Sequence, residues 1–275
     1  MKFAYSTNAF RKHSLPETIR HIAQLGFEGI EIAADIPHLY PPHYRDKAEL
    51  AQLKSILKES GLAVSNLNTF TLLAVKDMHH PSWIEPEIYL REIRIQHTKD
   101  CLYLAKEIDC KNISIQPGGR LEHFNREQAE ELFLAGLLEV IPLARKLGIR
   151  ILIEPEPFLL LENSVQFENF IRQLSGHQDV VGLNCDIGHF YCANEDPVEV
   201  ILRLHKFISH IHIEDIRNRE HNHLICGEGE IDYRSVFNAL RKIDYNGFIS
   251  LELYPYQDQP VEAGRKSLEF LKSML

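Results

Sequence analysis

Strand-like and helix-like stretches alternate along the whole chain, and that alternation restricts it to very few architectures. KFAYST reads as a first strand. A helix follows over SLPETIRHIAQLGF, with Ser14 as N-cap, Pro16 in the first turn and Gly26 at the stop. EGIEIAA reads as the second strand, with a helix over 46–60 ended by Gly61. LAVSNLNTF is the third, followed by a long loop, 71–86, and a helix over about 86–108. KNISIQP is the fourth. The helix after it, 125–147, contains Pro142, which should kink or restart it, and stops at Gly148. IRILIEP, VVGLNCD, FISHIHIED and GFISLELY read as strands five to eight, each followed by a helix, the last over 261–274.

These are eight β–α units with no Ser/Gly-rich linker or low-complexity segment between them. The strand runs are almost continuously apolar, as expected where both faces of a parallel sheet are covered. The expectation is an α/β fold, a single-domain (β/α)8 TIM barrel over residues 1–275. No GxGxxG follows the first strand, so a dinucleotide-binding sheet has no support.

Composition narrows the function classes. A formal net charge of −9 argues against a protein built to grip a phosphate backbone, so no nucleic-acid partner is expected. The five cysteines are odd in number and include no CxxC pair, which reads as reduced thiols. The opening MKFAYSTNAF is too polar for the apolar core of a secretory signal, and no apolar run reaches transmembrane length. The expectation is a cytoplasmic protein with no membrane partner. The long third and fourth helices could carry a homo-oligomer interface, although outer helices of any barrel are amphipathic.

The chemistry gathers at strand ends, where barrel active sites lie. Glu154 in RILIEPEP, Asp186 in VGLNCDIGH, His212 in ISHIHIED and Glu252 in GFISLELY each end an apolar run with a group able to bind a metal. One acid at a strand end is usually solvated or caps a helix; four in successive strands suggest one divalent-metal site. Three carboxylates and an imidazole suit Mn²⁺, Mg²⁺, Co²⁺ or Zn²⁺ without choosing among them. Without a cation the carboxylates would repel one another. His212 alternates with His210, which sets the expectation that one points inward and one outward.

Other candidates surround this set. His189, in DIGH, could bind metal or a substrate hydroxyl. Glu156, in EPEP, reads equally as a substrate group or a rim carboxylate. Arg217 follows the seventh strand and could neutralise an enolate, with Arg219 competing for the role, or either could pair with Glu214 or Asp215. Three histidine groups also stand out. His79–His80 lie near Trp83 in a loop that could close over the mouth. His221 and His223 read as pocket edge or ordinary loop. His38 and His43 bracket Pro41–Pro42.

The ordered run IEPEP…DIGH…HIHIED…GEGEIDY…GFISLELY resembles the xylose isomerase-like TIM barrel superfamily, and within it the sugar phosphate isomerase/epimerase family. The resemblance covers essentially the whole chain. It implies that Glu154, Asp186, His212 and Glu252 bind one divalent metal ion and that Glu154 and Glu252 form the acid/base pair. It also implies that His189 and Arg217, with Glu156 and His223 as further candidates, contact a small-molecule sugar or polyol substrate. The implied reaction is isomerisation or epimerisation of a sugar, ketose or polyol-derived ketone through a metal-stabilised enediolate. An alternative on the same scaffold is a dehydratase of an inosose or shikimate-type hydroxy-ketone. Less favoured are an endonuclease IV-like DNA repair enzyme and a non-catalytic metal- and sugar-binding protein. The endonuclease type needs histidines at the third and fourth strand ends, where this chain has Asn66, Asn68 and Gln116; His189 and His223 do match endonuclease positions. No phosphate-binding GxG-type loop stands out near the last two strands, which favours an unphosphorylated substrate.

Overall fold

The computed structural model describes residues 1–275 and is a closed parallel barrel. Its eight staves are β1 (Lys2–Ser6), β2 (Gly29–Ala33), β3 (Ala63–Asn68), β4 (Asn112–Ile115), β5 (Arg150–Ile153), β6 (Val181–Asp186), β7 (Ile208–Ile213) and a last strand, Phe248–Leu251. Between β7 and that stave lies an element absent from the sequence reading. It is an antiparallel hairpin of β8 (Asp215–Arg217) and β9 (Glu220–Leu224), so the eighth stave is β10. β10 pairs with both β7 and β1, which closes the ring.

Helices α1 (Leu15–Leu25), α2 (Lys47–Ser60), α3 (Ile88–Glu107), α4 (Arg126–Leu147) and α5 (Ser164–Gln173) alternate with the first six strands. α6 (Ile187–Cys192) and α7 (Pro197–Leu204) follow β6, and α8 (Tyr233–Lys242) and α9 (Pro260–Ser273) flank β10. Their ends follow local chemistry. Ser14 and Glu17 close a capping box on α1, and Gly26 ends it at φ 82°, a conformation only glycine adopts freely. Pro142 neither breaks nor restarts α4, which is one helix. Proline sits there on the exposed outer face, where water can meet the carbonyl its missing N–H leaves free.

The apolar core fills the layer between barrel and helices. Trp83, Phe133 and Phe170 stack through it, with ring centroids 5.6 and 4.8 Å apart. The barrel interior is by contrast polar near the strand ends. Ser65, Asn66, Ser114, Asn184, His210 and Ser250 are all buried there. Each must be hydrogen-bonded, and that requirement shapes the site.

Candidate metal and active site

Glu154, Asp186, His212 and Glu252 meet at the carboxyl-terminal mouth. One donor atom from each lies within 4.8 Å of all the others, and all four residues are buried. His212 Nδ1 is 3.0 Å from Glu154 Oε1, and 3.7 Å from both Asp186 Oδ2 and Glu252 Oε2. Two asparagine amides fix the glutamates from opposite sides. Asn184 Nδ2 donates to Glu154 Oε2 at 2.8 Å, and Asn8 Nδ2 to Glu252 Oε1 at 2.8 Å. Each glutamate therefore keeps one oxygen for the shared centre. Asp186 is divided in the same way. Its Oδ1 caps α6 by accepting the His189 N–H at 2.8 Å, while Oδ2 is buried without a partner. An orphaned carboxylate oxygen aimed at three other ligating groups is what a cation site leaves behind.

A fifth residue, which the sequence reading did not single out, holds this set from below. Glu31, at the middle of β2, accepts from His212 Nε2 at 2.6 Å and from Asn66 Nδ2 at 2.9 Å. His210 and His212 do not point to opposite sides. Both are fully buried inside the barrel, with ring centroids 5.3 Å apart. Residues two apart on a strand share a face, so the expected opposition was wrong. His210 donates from Nδ1 to Asn184 Oδ1 at 2.8 Å, and its Nε2 lies 2.8 Å from Ser250 Oγ. It thereby orients the amide that holds Glu154.

The hairpin brings three further imidazoles together beside this centre. His189 Nδ1 donates to the Pro155 carbonyl at 3.0 Å, and His223 Nδ1 to the Glu252 carbonyl at 3.0 Å. Their Nε2 atoms lie 2.9 and 2.8 Å from His221 Nε2. His221 and His223 are thus strand residues of β9 rather than loop, and the cluster is a second group that could hold an ion. Gly188 makes room behind it: a Cβ there would overlap the Glu214 carboxylate.

Burial and mutual charge set the protonation of these groups. Burial alone would depress the His212 pKa, but the Glu154, Glu31 and Glu252 carboxylates hold it well above its ordinary value. Burial would likewise raise Glu31, yet His212 and His210 hold it down at about 2. Glu252 is pushed well up by burial, with Glu154 and Asp186 adding repulsion. Glu154 is raised by burial and by Asp186 and Glu31, against the pull of His212. Burial drives His189 and His221 down to about 3, so that cluster is neutral.

The mouth opens into a cavity of about 810 Å³, counting space open to solvent. Glu154, Glu156, His189, His221, His223 and Glu252 line one side of it. Burial, then repulsion from Glu154 and Asp186, pushes the Glu156 carboxyl well above its ordinary range. The loop after β3 lines the opposite side through Phe70, Thr71, Leu73 and Met78. Asp35 pins that loop, accepting from Thr71 Oγ1 at 2.8 Å, Leu73 N at 2.6 Å and Ala74 N at 3.1 Å. Arg94 pins it from beneath, donating to the Thr69 and Pro81 carbonyls at 2.9 and 2.8 Å. Of the loop's marked residues, Trp83 is core and His80 bonds Glu85 at 2.6 Å. His38 lines the cavity, whereas His43 is exposed away from it.

Arg217 is not brought to the site. It is exposed on β8, its guanidinium donates to the Glu228 carbonyl, and it lies outside the cavity lining. The hairpin turns the chain outward there, so distance along the sequence from His212 misleads. Arg219 also faces away, over the Tyr191 ring at 4.2 Å.

Residues 19–274 match the model of the xylose isomerase-like TIM barrel family, and the chain belongs to that family. It is 26% identical over 282 residues to the uncharacterized protein MJ1311 of Methanocaldococcus jannaschii, covering 100% of this chain and 89% of that protein. An inosose dehydratase of Lacticaseibacillus casei is 26% identical over 172 residues, 56% of this chain and 57% of the relative. Among solved structures, the fold is similar to that of D-psicose 3-epimerase from Clostridium cellulolyticum H10, solved with D-tagatose. The TM-score is 0.82 at 17% identity, covering 100% of this chain and 99% of that one. No helix is long and apolar enough to cross a membrane.

Proposed function

We propose that this chain is a divalent-metal-dependent isomerase or epimerase acting on a sugar, ketose or polyol-derived ketone. The observation that carries the reading is the pairing of Glu154 and Glu252. They end opposite arcs of the barrel, sit on one donor cluster, and are each steered by a separate asparagine amide. The residues present fit a cation. Three buried carboxylates around one imidazole, with Asp186 Oδ2 unpartnered, repel one another, and a cation between them relieves that repulsion. Glu154, Asp186, His212 and Glu252 would hold it. A divalent ion there would polarise a carbonyl and acidify the neighbouring C–H.

The chain's own groups then have distinct tasks. One glutamate removes the proton from the carbon beside the carbonyl, and the other returns a proton from its side of the cavity. Return to the opposite face of the same carbon is epimerisation; return to the former carbonyl carbon is isomerisation. His189, His221 and His223 present an imidazole cluster to substrate hydroxyls, and Glu156 offers a carboxyl at the same wall. The loop pinned by Asp35 limits the access of water.

One observation favours a second reading, a hydroxy-ketone dehydratase. The Glu156 carboxyl lines the cavity with its proton affinity raised by burial and by the neighbouring Glu154 and Asp186 carboxylates, which suits a group that protonates a departing hydroxyl, and one relative is named an inosose dehydratase. Incubation of metal-loaded protein with ketoses in D₂O separates the outcomes. Deuterium entering a product of unchanged formula supports the first reading, and loss of water supports the second. Absence of both across a broad panel overturns the enzyme reading.

A further inference from the structure

The cavity lining carries one permanent positive charge, from Arg11, just after the turn that follows β1. Every other lysine or arginine is absent from this lining. Arg11 is partly buried, yet it makes no hydrogen bond and no ion pair. The other arginines that are not exposed all donate to a partner. Arg91 and Arg126 donate to main-chain carbonyls, Arg94 to the Thr69 and Pro81 carbonyls, and Arg150 to Ser209. Asp35, in the same lining, is already committed to the loop and to the Ile36 N–H. A partly desolvated guanidinium with no acceptor is unfavourable, and its planar fork suits an incoming oxyanion.

Its surroundings are those of a binding wall. His38 is 2% exposed and lines the same cavity, its ring set against the main chain of Phe10 and His13. Burial holds its pKa at about 4, and Arg11 adds to that, so the ring is neutral. Asn8 connects this wall to the chemistry. Its amide nitrogen holds Glu252, while its Oδ1 is buried without a partner and free to accept from a hydroxyl. Asn8 and Arg11 belong to the same turn after β1, and both line the cavity with Glu252.

We propose that the substrate carries an oxyanion, a carboxylate or a phosphate, at the end remote from the reacting carbonyl, and that Arg11 binds it. Asn8 Oδ1 accepts from an intervening hydroxyl, and His38 flanks the anion. This makes Arg11 a specificity determinant rather than a catalytic residue. The inference rests on the proton-transfer reading only for which end of the ligand faces Glu252.

The test is calorimetric binding to the Mn²⁺-loaded 275-residue chain of D-fructose, D-fructose 6-phosphate and the keto acid 5-keto-D-gluconate. At least one anion should bind about 10-fold more tightly than fructose. Arg11→Gln should erase that advantage and leave fructose within about 2-fold, because the side chain has no partner within the protein to lose. The anion that loses most identifies phosphate or carboxylate as the group recognised. Fructose binding as tightly as both anions, or an anion preference that survives Arg11→Gln, overturns the proposal. Deuterium exchange is read separately. Its absence with charge-selective binding intact would overturn the reaction reading and leave the anion wall standing.

Discussion

The Nε2 atom of His212 donates to Glu31 across the barrel at 2.6 Å, so its Nδ1 is the nitrogen that faces Glu154, Asp186 and Glu252. The carboxylate fixes which ring nitrogen is free to ligate and makes it a better donor. Glu31→Gln preserves volume but removes the anionic acceptor. We expect metal affinity to fall about 10- to 100-fold, with the far-ultraviolet spectrum unchanged. Titration with Co²⁺ or Mn²⁺ checks this; equal affinities would remove Glu31 from the account.

Glu154→Gln and Glu252→Gln should each reduce solvent exchange into substrate by about 10²- to 10⁴-fold, the usual contribution of a positioned acid or base. Chelation by EDTA should abolish exchange in the native protein, and Mn²⁺ should restore it. Metal content must be measured for both variants. A variant that is inactive only because it is empty speaks to ligation, and one that is loaded and inactive speaks to proton transfer.

Asp35→Ala should release the loop over residues 71–86 from the mouth. The Leu73 and Ala74 N–H groups and the Thr71 hydroxyl lose their acceptor together. Hydrogen exchange at those amides should accelerate and proteolysis within the loop should increase. Stability should fall by about 1–3 kcal/mol, the range for buried donors left unpaired. Amide protection equal to that of the native protein would mean the loop is held elsewhere.

His97 offers a pH test away from the site. It is buried in α3 with its pKa pushed down to about 3 by burial and by Arg94. The native ring stays neutral, whereas the unfolded ring takes a proton below about 6.5. Its contribution is therefore complete above the unfolded value and is lost as pH falls from about 6.5 toward 3, at roughly 1.4 kcal/mol per pH unit. His97→Asn should flatten the acid limb of the stability profile by about one proton, whatever it does to stability at neutral pH. An unchanged slope would contradict a neutral buried ring.

Most of the barrel was legible because buried parallel strands are apolar on both faces and the helices carry their own caps. Glu154, Asp186, His212 and Glu252 were legible for the same reason, each interrupting an apolar run where a stave ends. Glu31 was not, because an acid within EGIEIAA looks like an ordinary strand residue until the ring closes and sets it under His212. The β8–β9 hairpin was missed because EHNHL has neither apolar alternation nor β-branched residues. That omission also misplaced Arg217, which the hairpin carries outward. Arg11 had no signal at all: its meaning lies in the partner it lacks.

The hairpin pairs only with itself and belongs to no stave of the ring. It delivers His221 and His223 to the mouth as an attachment, so their replacement need not disturb any barrel register. The Glu154, Asp186, His212 and Glu252 cluster and the His221–His223 pair thereby sit on separable parts of the chain. Rebuilding about ten residues there would change that side of the cavity while the staves keep the Glu154, Asp186, His212 and Glu252 cluster in place.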